Sequence, residues 1–372
     1  SWIWQHTNWP KLTWDNAALT ELLARVRLQQ GRLLGRVQML GLDEQSRIAA
    51  ESLGEEMITT SAIEGTNVDR GSVQSSIAER LGLKNAGLDH PRDRYIEGLL
   101  DIMLDATESF NQPMTSERLA GWHAALFPTG YSGIKKIIVG NLRGEGDMEI
   151  ISQRPGKATQ HYLAPPRNGL EDQLQQLLDW INNTQDLDGI IKAAVTHLWF
   201  EALHPFDDGN GRIGRALIDM LLAKDEQSSL RFYSVSAAIM AQRKSYYAAL
   251  ESATKGDLDI TSWIIWFIDC YQSAIQHSES QIALSINKSK FWHMHTEKNI
   301  NERQRKVLNK MLDAGIDGYE GGMTTKKYMH INRTSRATAY RELTDLIDKG
   351  CLIPVNAKGR SSAYKINWHD IQ

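Results

Sequence analysis

The residues best placed to do chemistry fall within twelve positions, His204-Pro205-Phe206-Asp207-Asp208-Gly209-Asn210-Gly211-Arg212-Ile213-Gly214-Arg215. His204 follows a stretch whose apolar residues recur at helical spacing (Val195, Leu198, Trp199, Ala202), and Pro205 removes a backbone donor and ends that helix. A histidine at that point is placed to take a proton from an incoming hydroxyl. Gly209 and Gly211 let the chain turn tightly and approach a ligand. Asn210 suits the N-cap of a second helix, whose apolar period runs through Ile213, Leu217, Ile218, Leu221 and Leu222. A glycine turn feeding a helix N-terminus offers unpaired amides and a positive dipole end to a phosphate. Arg212 and Arg215, three apart in the first turn, oppose that dipole unless an anion lies in front of them. Asp208 would repel the same anion unless a divalent cation stood between them, and Mg²⁺, held by one or two carboxylates plus nucleotide oxygens, fits. A base, a metal carboxylate and an anion cradle together describe phosphoryl or nucleotidyl transfer.

Each fragment alone has a plain reading, His-Pro as a turn and Asp-Gly-Asn-Gly as a loop. The joint pattern His-Pro-Phe-x-Asp-Gly-Asn-Gly-Arg-x-Gly-Arg resembles, without a departure, the signature of the Fic (filamentation induced by cAMP) family. The resemblance implies a mainly α protein, with a helical core and a β-hairpin flap, that moves AMP from ATP to a Ser, Thr or Tyr hydroxyl of a target protein and releases pyrophosphate. His204 would be the catalytic base and Asp208 would hold Mg²⁺. Asp208, Gly209, Asn210, Gly211, Arg212, Ile213, Gly214 and Arg215 would bind ATP, with the arginines on its phosphates.

Around the signature stand the elements that must position it. Asn16 to Gly41 reads as an amphipathic helix, and about 43 to 65 as another, with Leu53 and Met57 on its buried side and Gly65 as its stop. Glu64 falls at the dipole end that disfavours negative charge, so either solvent screens it or a cation partner waits there. Thr60-Ser61-Ala62-Ile63-Glu64-Gly65 resembles the (Ser/Thr)-x-x-x-Glu-(Gly/Asn) inhibitory motif of the Fic family, in the subgroup whose inhibitory helix lies N-terminal within the same chain. By that resemblance Glu64, with Thr60, holds Arg215 and keeps ATP in an unreactive pose.

Between Gly130 and Pro166 glycines and prolines interrupt short β-favouring runs, and Met148–Ile151 and Gln160–Leu163 read as the arms of a hairpin within about 147–164. It is either an ordinary surface hairpin or, by resemblance, a flap that clamps the target through main-chain hydrogen bonds, with Ile150, Ile151 and Ser152 along the slot. Tyr246-Tyr247 borders the adenine by the same resemblance, although Thr254 stands where the family often has Asn. Trp2, Trp4, Trp9 and Trp14 read as packing onto the helices that follow, and His197 as a structural histidine.

The chain has 372 residues, 41% of them hydrophobic, and a net charge of −3 that singles out no partner class. Two distant cysteines in apolar segments imply no disulfide framework and fit a reducing cytoplasm, and no apolar run is long enough for a membrane span. The expected organisation is an N-terminal helical region (1–100), a catalytic core (101–275), a connecting helix (276–300) and a C-terminal module (301–372). That module holds 13 Lys+Arg against 8 Asp+Glu, a balance of +5 that leaves −8 for the rest. Three helices followed by two strands joined by Lys358-Gly359-Arg360 resemble a winged helix-turn-helix, whose reading helix would expose Arg333, Arg336, Thr338, Tyr340 and Arg341. Such modules bind DNA or serve protein contacts and dimerisation. Further expectations from the resemblance are a homodimer, self-modification and removal of AMP with Glu64 orienting water. The rival reading is a DNA-binding transcription regulator whose nucleotide site only senses.

Overall fold

The computed structural model describes residues 1–83, 90–154, 157–315, 318–355 and 363–369. It divides into two compact units, Ser1–Ser278 and Glu279–Gln372.

The first unit begins with a short 3-10 turn and then stacks helices: α1 (Asn16–Gln38), α2 (Leu42–Ile63), α3 (Arg70–Leu81), α4 (Arg94–Glu108) and α5 (Ser116–Leu126). Side-chain caps start most of them, Asp15 accepting from Ala17 N, Asp69 from Ser72 N and Thr115 from Arg118 N. Two antiparallel hairpins follow, β1 (Tyr131–Ser132) with β2 (Lys135–Lys136), and β3 (Glu149–Arg154) with β4 (Lys157–Leu163). The second is the expected hairpin with longer arms, bulged between Ile150 and Ile151. The apolar run Ile137–Val139 forms no strand, because Ile137 turns inward and the Ile138 N–H is held by Asp207 at 2.8 Å. Then come α6 (Leu170–Asn183), α7 (Gly189–Leu203), α8 (Asn210–Glu226), α9 (Val235–Ala241), α10 (Arg243–Lys255) and α11 (Thr261–Met294).

At the centre of this unit α7 packs against α8, both buried along nearly their full length. That burial explains α7's weak amphipathic pattern, since a helix covered on all sides is apolar all round. Of the N-terminal tryptophans, Trp9 packs on a helix that follows, α7, while Trp2 and Trp4 meet strand β4 instead. Trp2 meets Tyr162 edge-on at 5.3 Å, Trp4 donates to the Leu163 carbonyl, and Trp9 meets Trp199 at 6.0 Å. Only Trp14 stays local, donating to Asn16.

A separate connecting helix over 276–300 does not form. Helix α11 runs unbroken from Thr261 to Met294, and Phe291 is fully buried in the second unit's core. The rest of the second unit comprises α12 (Glu302–Asp313), β5 (Met323–Thr324), α13 (Thr325–Asn332), α14 (Arg336–Asp348), β6 (Leu352–Pro354) and β7 (Ala363–Ile366). Its strands form one antiparallel sheet in the order β5-β7-β6. Val307, Leu308, Met311, Tyr328, Leu343, Leu346 and Cys351 fill its core. Lys358 and Arg360 lie outside the described residues. Among the described residues no helix is long and apolar enough to cross a membrane.

Candidate active site

The turn from α7 to α8 is fastened from several sides. His204 caps α7 in a left-handed conformation (φ 47°), a strained geometry for a residue with a Cβ that its surroundings must enforce. Arg143 supplies part of that constraint. It is buried, its Nε donates to the His204 carbonyl at 2.9 Å, and its backbone N–H donates to the Pro205 carbonyl at 2.9 Å. His123 holds the far end. The Gly140 N–H donates to its Nδ1, so the proton sits on Nε2 and is donated to the Asp208 carbonyl at 3.0 Å. The His123 ring also lies flat on Phe206, 4.2 Å between centroids. Asp207 accepts from the backbone N–H groups of Ile138 and Gly144.

Asn210 is not the N-cap. Gly209 takes that place with φ 84°, and a Cβ on it would stand 2.7 Å from Leu126 and Phe127. Asn210 opens the helix, and its amide closes the turn by accepting from Phe206 N–H and donating to the Phe206 carbonyl, both at 2.9 Å. The first helical bond runs from Ile213 N–H to the Gly209 carbonyl, so the N–H groups of Asn210, Gly211 and Arg212 lie outside the ladder. Ile213 and Gly214 therefore bring no free amide to this cradle. Ile213 is core, and Gly214 faces α7, where a Cβ would stand 2.8 Å from Glu201.

A carboxylate already lies against the cradle. Glu64, the C-cap of α2, places Oε1 where a Cβ on Gly211 would be 2.1 Å away, and Arg215 Nη2 donates to that oxygen at 2.7 Å. Arg215 is 1% exposed, and it also donates to Thr60 Oγ1 at 2.8 Å and to the Thr60 carbonyl at 3.0 Å. Arg212 points the other way, Nη1 to the Tyr95 hydroxyl at 3.3 Å and Nη2 to Asp208 Oδ1 at 3.4 Å. Tyr95 in turn shares a 2.8 Å hydrogen bond with Ser61, so both signature arginines connect to the end of α2.

Asp208 is 42% exposed, with its Oδ2 accepting from the Ser132 hydroxyl. Among the described residues no cluster of three or more His, Cys, Asp or Glu could cage a metal. One half-open carboxylate beside free helix-terminal amides fits Mg²⁺, which keeps waters and nucleotide oxygens in most of its coordination sphere. Burial, with Arg143 nearby, pushes the His204 imidazole down to about 4, so at neutral pH it is uncharged, as a base must be.

The two tyrosines part company. Tyr246 is 1% exposed, and its hydroxyl is engaged by His197 Nε2 at 2.8 Å, so it belongs to the core with Trp263 and Trp266. Tyr247 is 40% exposed and remains the aromatic with an open face. Thr254 turns its hydroxyl onto the Leu250 carbonyl. Ile150 is exposed on β3, and the side chains of Ile151 and Ser152 lie outside what is described. Three residues that sequence reasoning did not single out also bear on the site: Arg143, Glu201 and Arg243. Arg243 donates to the Ile63 carbonyl at 2.8 Å and so holds the end of α2. Their types alone carry no signal, because each matters only through what the fold brings to it.

Comparison with known proteins adds to this geometry. Residues 113–222 match the Fic/DOC family, and residues 2–83 match a domain of unknown function, DUF4172. Protein adenylyltransferase fic-1 of Caenorhabditis elegans is 36% identical over 89 residues, covering 23% of this chain and 16% of that protein. Protein adenylyltransferase Fic of Drosophila willistoni is 30% identical over 148 residues, covering 38% of this chain and 28% of that protein. The matched segment thus spans less than a third of either relative. Among solved structures, a Fic family protein from Desulfovibrio desulfuricans G20 superposes with a TM-score of 0.54 at 20% identity, over 95% of this chain and 97% of that one. Fic-1 (residues 134–508) from C. elegans gives 0.50 at 20% identity, over 72% and 74%. These superpositions show the fold.

Proposed function

We propose that this chain, built around a Fic/DOC family segment at residues 113–222, is a protein adenylyltransferase held in check by Glu64. The observation that carries the reading is the Glu64 carboxylate lying against Gly211 and paired with Arg215, an anion bound where the helix terminus would otherwise receive phosphate.

In the reaction, His204 Nε2 takes the proton of a Ser, Thr or Tyr hydroxyl on the target. The oxygen forms a bond to the α-phosphorus of ATP as the bond to pyrophosphate breaks. The free amides at Asn210, Gly211 and Arg212 orient the phosphates, and Arg212 and Arg215 offset the charge gathering on the leaving group. Asp208 would hold Mg²⁺, which supplies charge neutralisation on the phosphate oxygens. Glu64 opposes this by occupying Arg215, so release of α2's end is the activating step. Self-modification, hydrolytic removal of AMP with Glu64 orienting water, and a homodimer are part of the same reading.

Labelled ATP and intact-mass analysis test it directly. Glu64→Gly is expected to raise AMP incorporation at least about 10-fold, since a charge-assisted pair contributes about 1.5–3 kcal/mol. His204→Ala in that background abolishes it. No label on the target or on the chain itself in either protein would leave a nucleotide sensor as the better reading.

The second unit favours a further role. An open groove lined by Lys306, Lys310, His330, Ile331, Asn332 and Arg333 lies beside α14, whose exposed residues include Arg336, Tyr340 and Arg341. This supports a winged-helix reading with duplex DNA as the partner.

A further inference from the structure

We propose that Glu201 is the positioning residue for His204, accepting the imidazole Nδ1 proton so that Nε2 is left free as the base and the charge the ring acquires on protonation is offset. The inference rests on the reading of His204 as the base.

Helix α7 carries His197, Glu201 and, just past its end, His204 at positions i, i+4 and i+7, which share one face. His197 Nδ1, Glu201 Oε1 and His204 Nδ1 are all sealed from solvent, and none has a hydrogen-bond partner. Buried polar atoms are ordinarily satisfied, so three such atoms together mark a place where structure has yielded to something else. Glu201 Oε2 stands 4.0 Å from His204 Nδ1, one small side-chain adjustment from a hydrogen bond, and catalytic contacts are often long before substrate binds. Gly214 keeps the space open, because a Cβ there would lie 2.8 Å from Glu201 Oε1 and 3.0 Å from His197 Nδ1. The other titratable groups around the carboxyl are Glu64, Arg215, Tyr162, Tyr246 and Tyr247.

A neutral imidazole whose Nε2 is to accept a proton must carry its own proton on Nδ1. The Glu201 carbonyl also approaches the His204 ring, without a hydrogen bond of full geometry, so the Glu201 carboxyl is the side-chain acceptor nearest Nδ1, and Tyr246 is engaged with His197. The carboxyl is also held at a cost. Burial and the nearby Glu64 charge push it up to about 8, so at neutral pH the folded chain keeps a proton that the unfolded chain releases. Glu201 therefore stabilises nothing between pH 4.5 and 8, and stability is lost as the pH rises through that window. A side chain present only to fill space would do better as glutamine. The ionised form is the stronger acceptor for Nδ1–H, so transfer is expected to climb as Glu201 ionises. With Glu64 removed, the midpoint falls below about 8, because one of the charges raising it is gone.

The test is Glu201→Gln in the Glu64→Gly protein, with labelled ATP and the chain itself or its target as acceptor. The expected result is a kcat lowered about 10- to 100-fold at an unchanged KM for ATP. The alkaline limb of the pH profile is lost, and the melting temperature at pH 8 rises by about 2–4 °C. A kcat and pH profile equal to the parent's, with an active parent, would overturn the proposal while leaving the transfer reading intact. An inactive Glu64→Gly parent would count against the transfer reading instead, and Glu201 is then decided by ring ¹⁵N shifts of His204. Those should report Nδ1–H in the native chain and a shift toward Nε2–H in Glu201→Leu, and an unchanged tautomer overturns the proposal.

Discussion

At the scale of single residues, the site depends on buried polar groups whose protonation the fold has moved. His204 is driven down to about 4 and His197 to about 3, both chiefly by burial. The unfolded chain protonates these rings near pH 6.5, whereas the folded chain does not, so their contribution to stability is present above 6.5 and is lost as the pH falls toward 4. Glu201 acts in the opposite sense over pH 4.5–8, so the two histidines outweigh it only below about pH 6.5; thermal melts between about pH 6 and 4.5 should show a loss, reduced in a His197→Gln protein, and a loss of equal size in that protein would contradict it. Arg143 gives a second prediction. Its guanidinium donates to the His204 carbonyl at 2.9 Å and the Pro165 carbonyl at 2.5 Å, and its charge is held below the usual arginine range by burial and by Arg167. Arg143→Ala would leave both carbonyls unpaired and free the strained left-handed cap at His204, at a cost of about 2–4 kcal/mol. Denaturant titration measures that loss, and AMP transfer in the Glu64→Gly background should fall at least about 10-fold with it. Arg143→Lys keeps the charge without the planar fork and should recover little.

At the scale of elements, the proposed restraint by the end of α2 rests on several contacts. Thr60 and Glu64 hold Arg215, Ser61 meets Tyr95, and Arg243 from the first turn of α10 holds the Ile63 carbonyl at 2.8 Å. Each contact biases the same equilibrium, so removing one should release that restraint in part. Thr60→Ala deletes the hydroxyl that accepts from Arg215 Nε and spares the Thr60 carbonyl. A hydrogen bond of about 1 kcal/mol corresponds to roughly a fivefold rise in basal AMP incorporation, smaller than the effect of Glu64→Gly. Equal basal rates in Thr60→Ala and the native chain would remove α2 as the controlling element. Much of this element was legible in the sequence, because amphipathic spacing and Gly65 set its limits to within a residue or two, and the glycine turn and its helix were legible for the same reason. What could not be read there depends on contact between distant segments. Asn210 reads as a cap, yet the adjacent Gly209 takes the cap and frees the Asn210 amide to close on Phe206. Tyr246 and Tyr247 look equivalent in sequence, and only the packing of α7 against α10 sends one into the core. Glu201 and Arg143 are charged residues, and no periodicity could place them inside.

At the scale of the whole molecule, charge is divided between the two units. Residues 279–372 hold 16 Lys+Arg against 10 Asp+Glu, a balance of +6, and residues 1–278 carry −9. Part of the second unit's acidity is used internally, Glu342 in the core with Arg303 and Tyr328, Asp345 with Lys349 and Asp313 with Lys288. Arg333, Arg336 and Arg341 enter no ion pair among the described residues, and all three are exposed. Arg336 stands in the first turn of α14, where the helix dipole disfavours a cation unless an anion faces it. A sugar-phosphate backbone would supply that anion along the groove between Lys306, Lys310, His330 and Arg333. Fluorescence anisotropy of the full chain with a mixed-sequence duplex of about 25 base pairs should thus show binding that weakens steeply with salt. Neutralising Lys306 and Lys310 together should lower the slope of log Kd against log salt by roughly 2, one for each phosphate that then keeps its counterion. Arg341→Ala should instead cost about 1–3 kcal/mol on a preferred sequence and less on others, as expected of a side chain that reaches base edges. Binding that ignores salt, or no binding at about 50 mM salt, would make this face a protein contact rather than a reader of DNA.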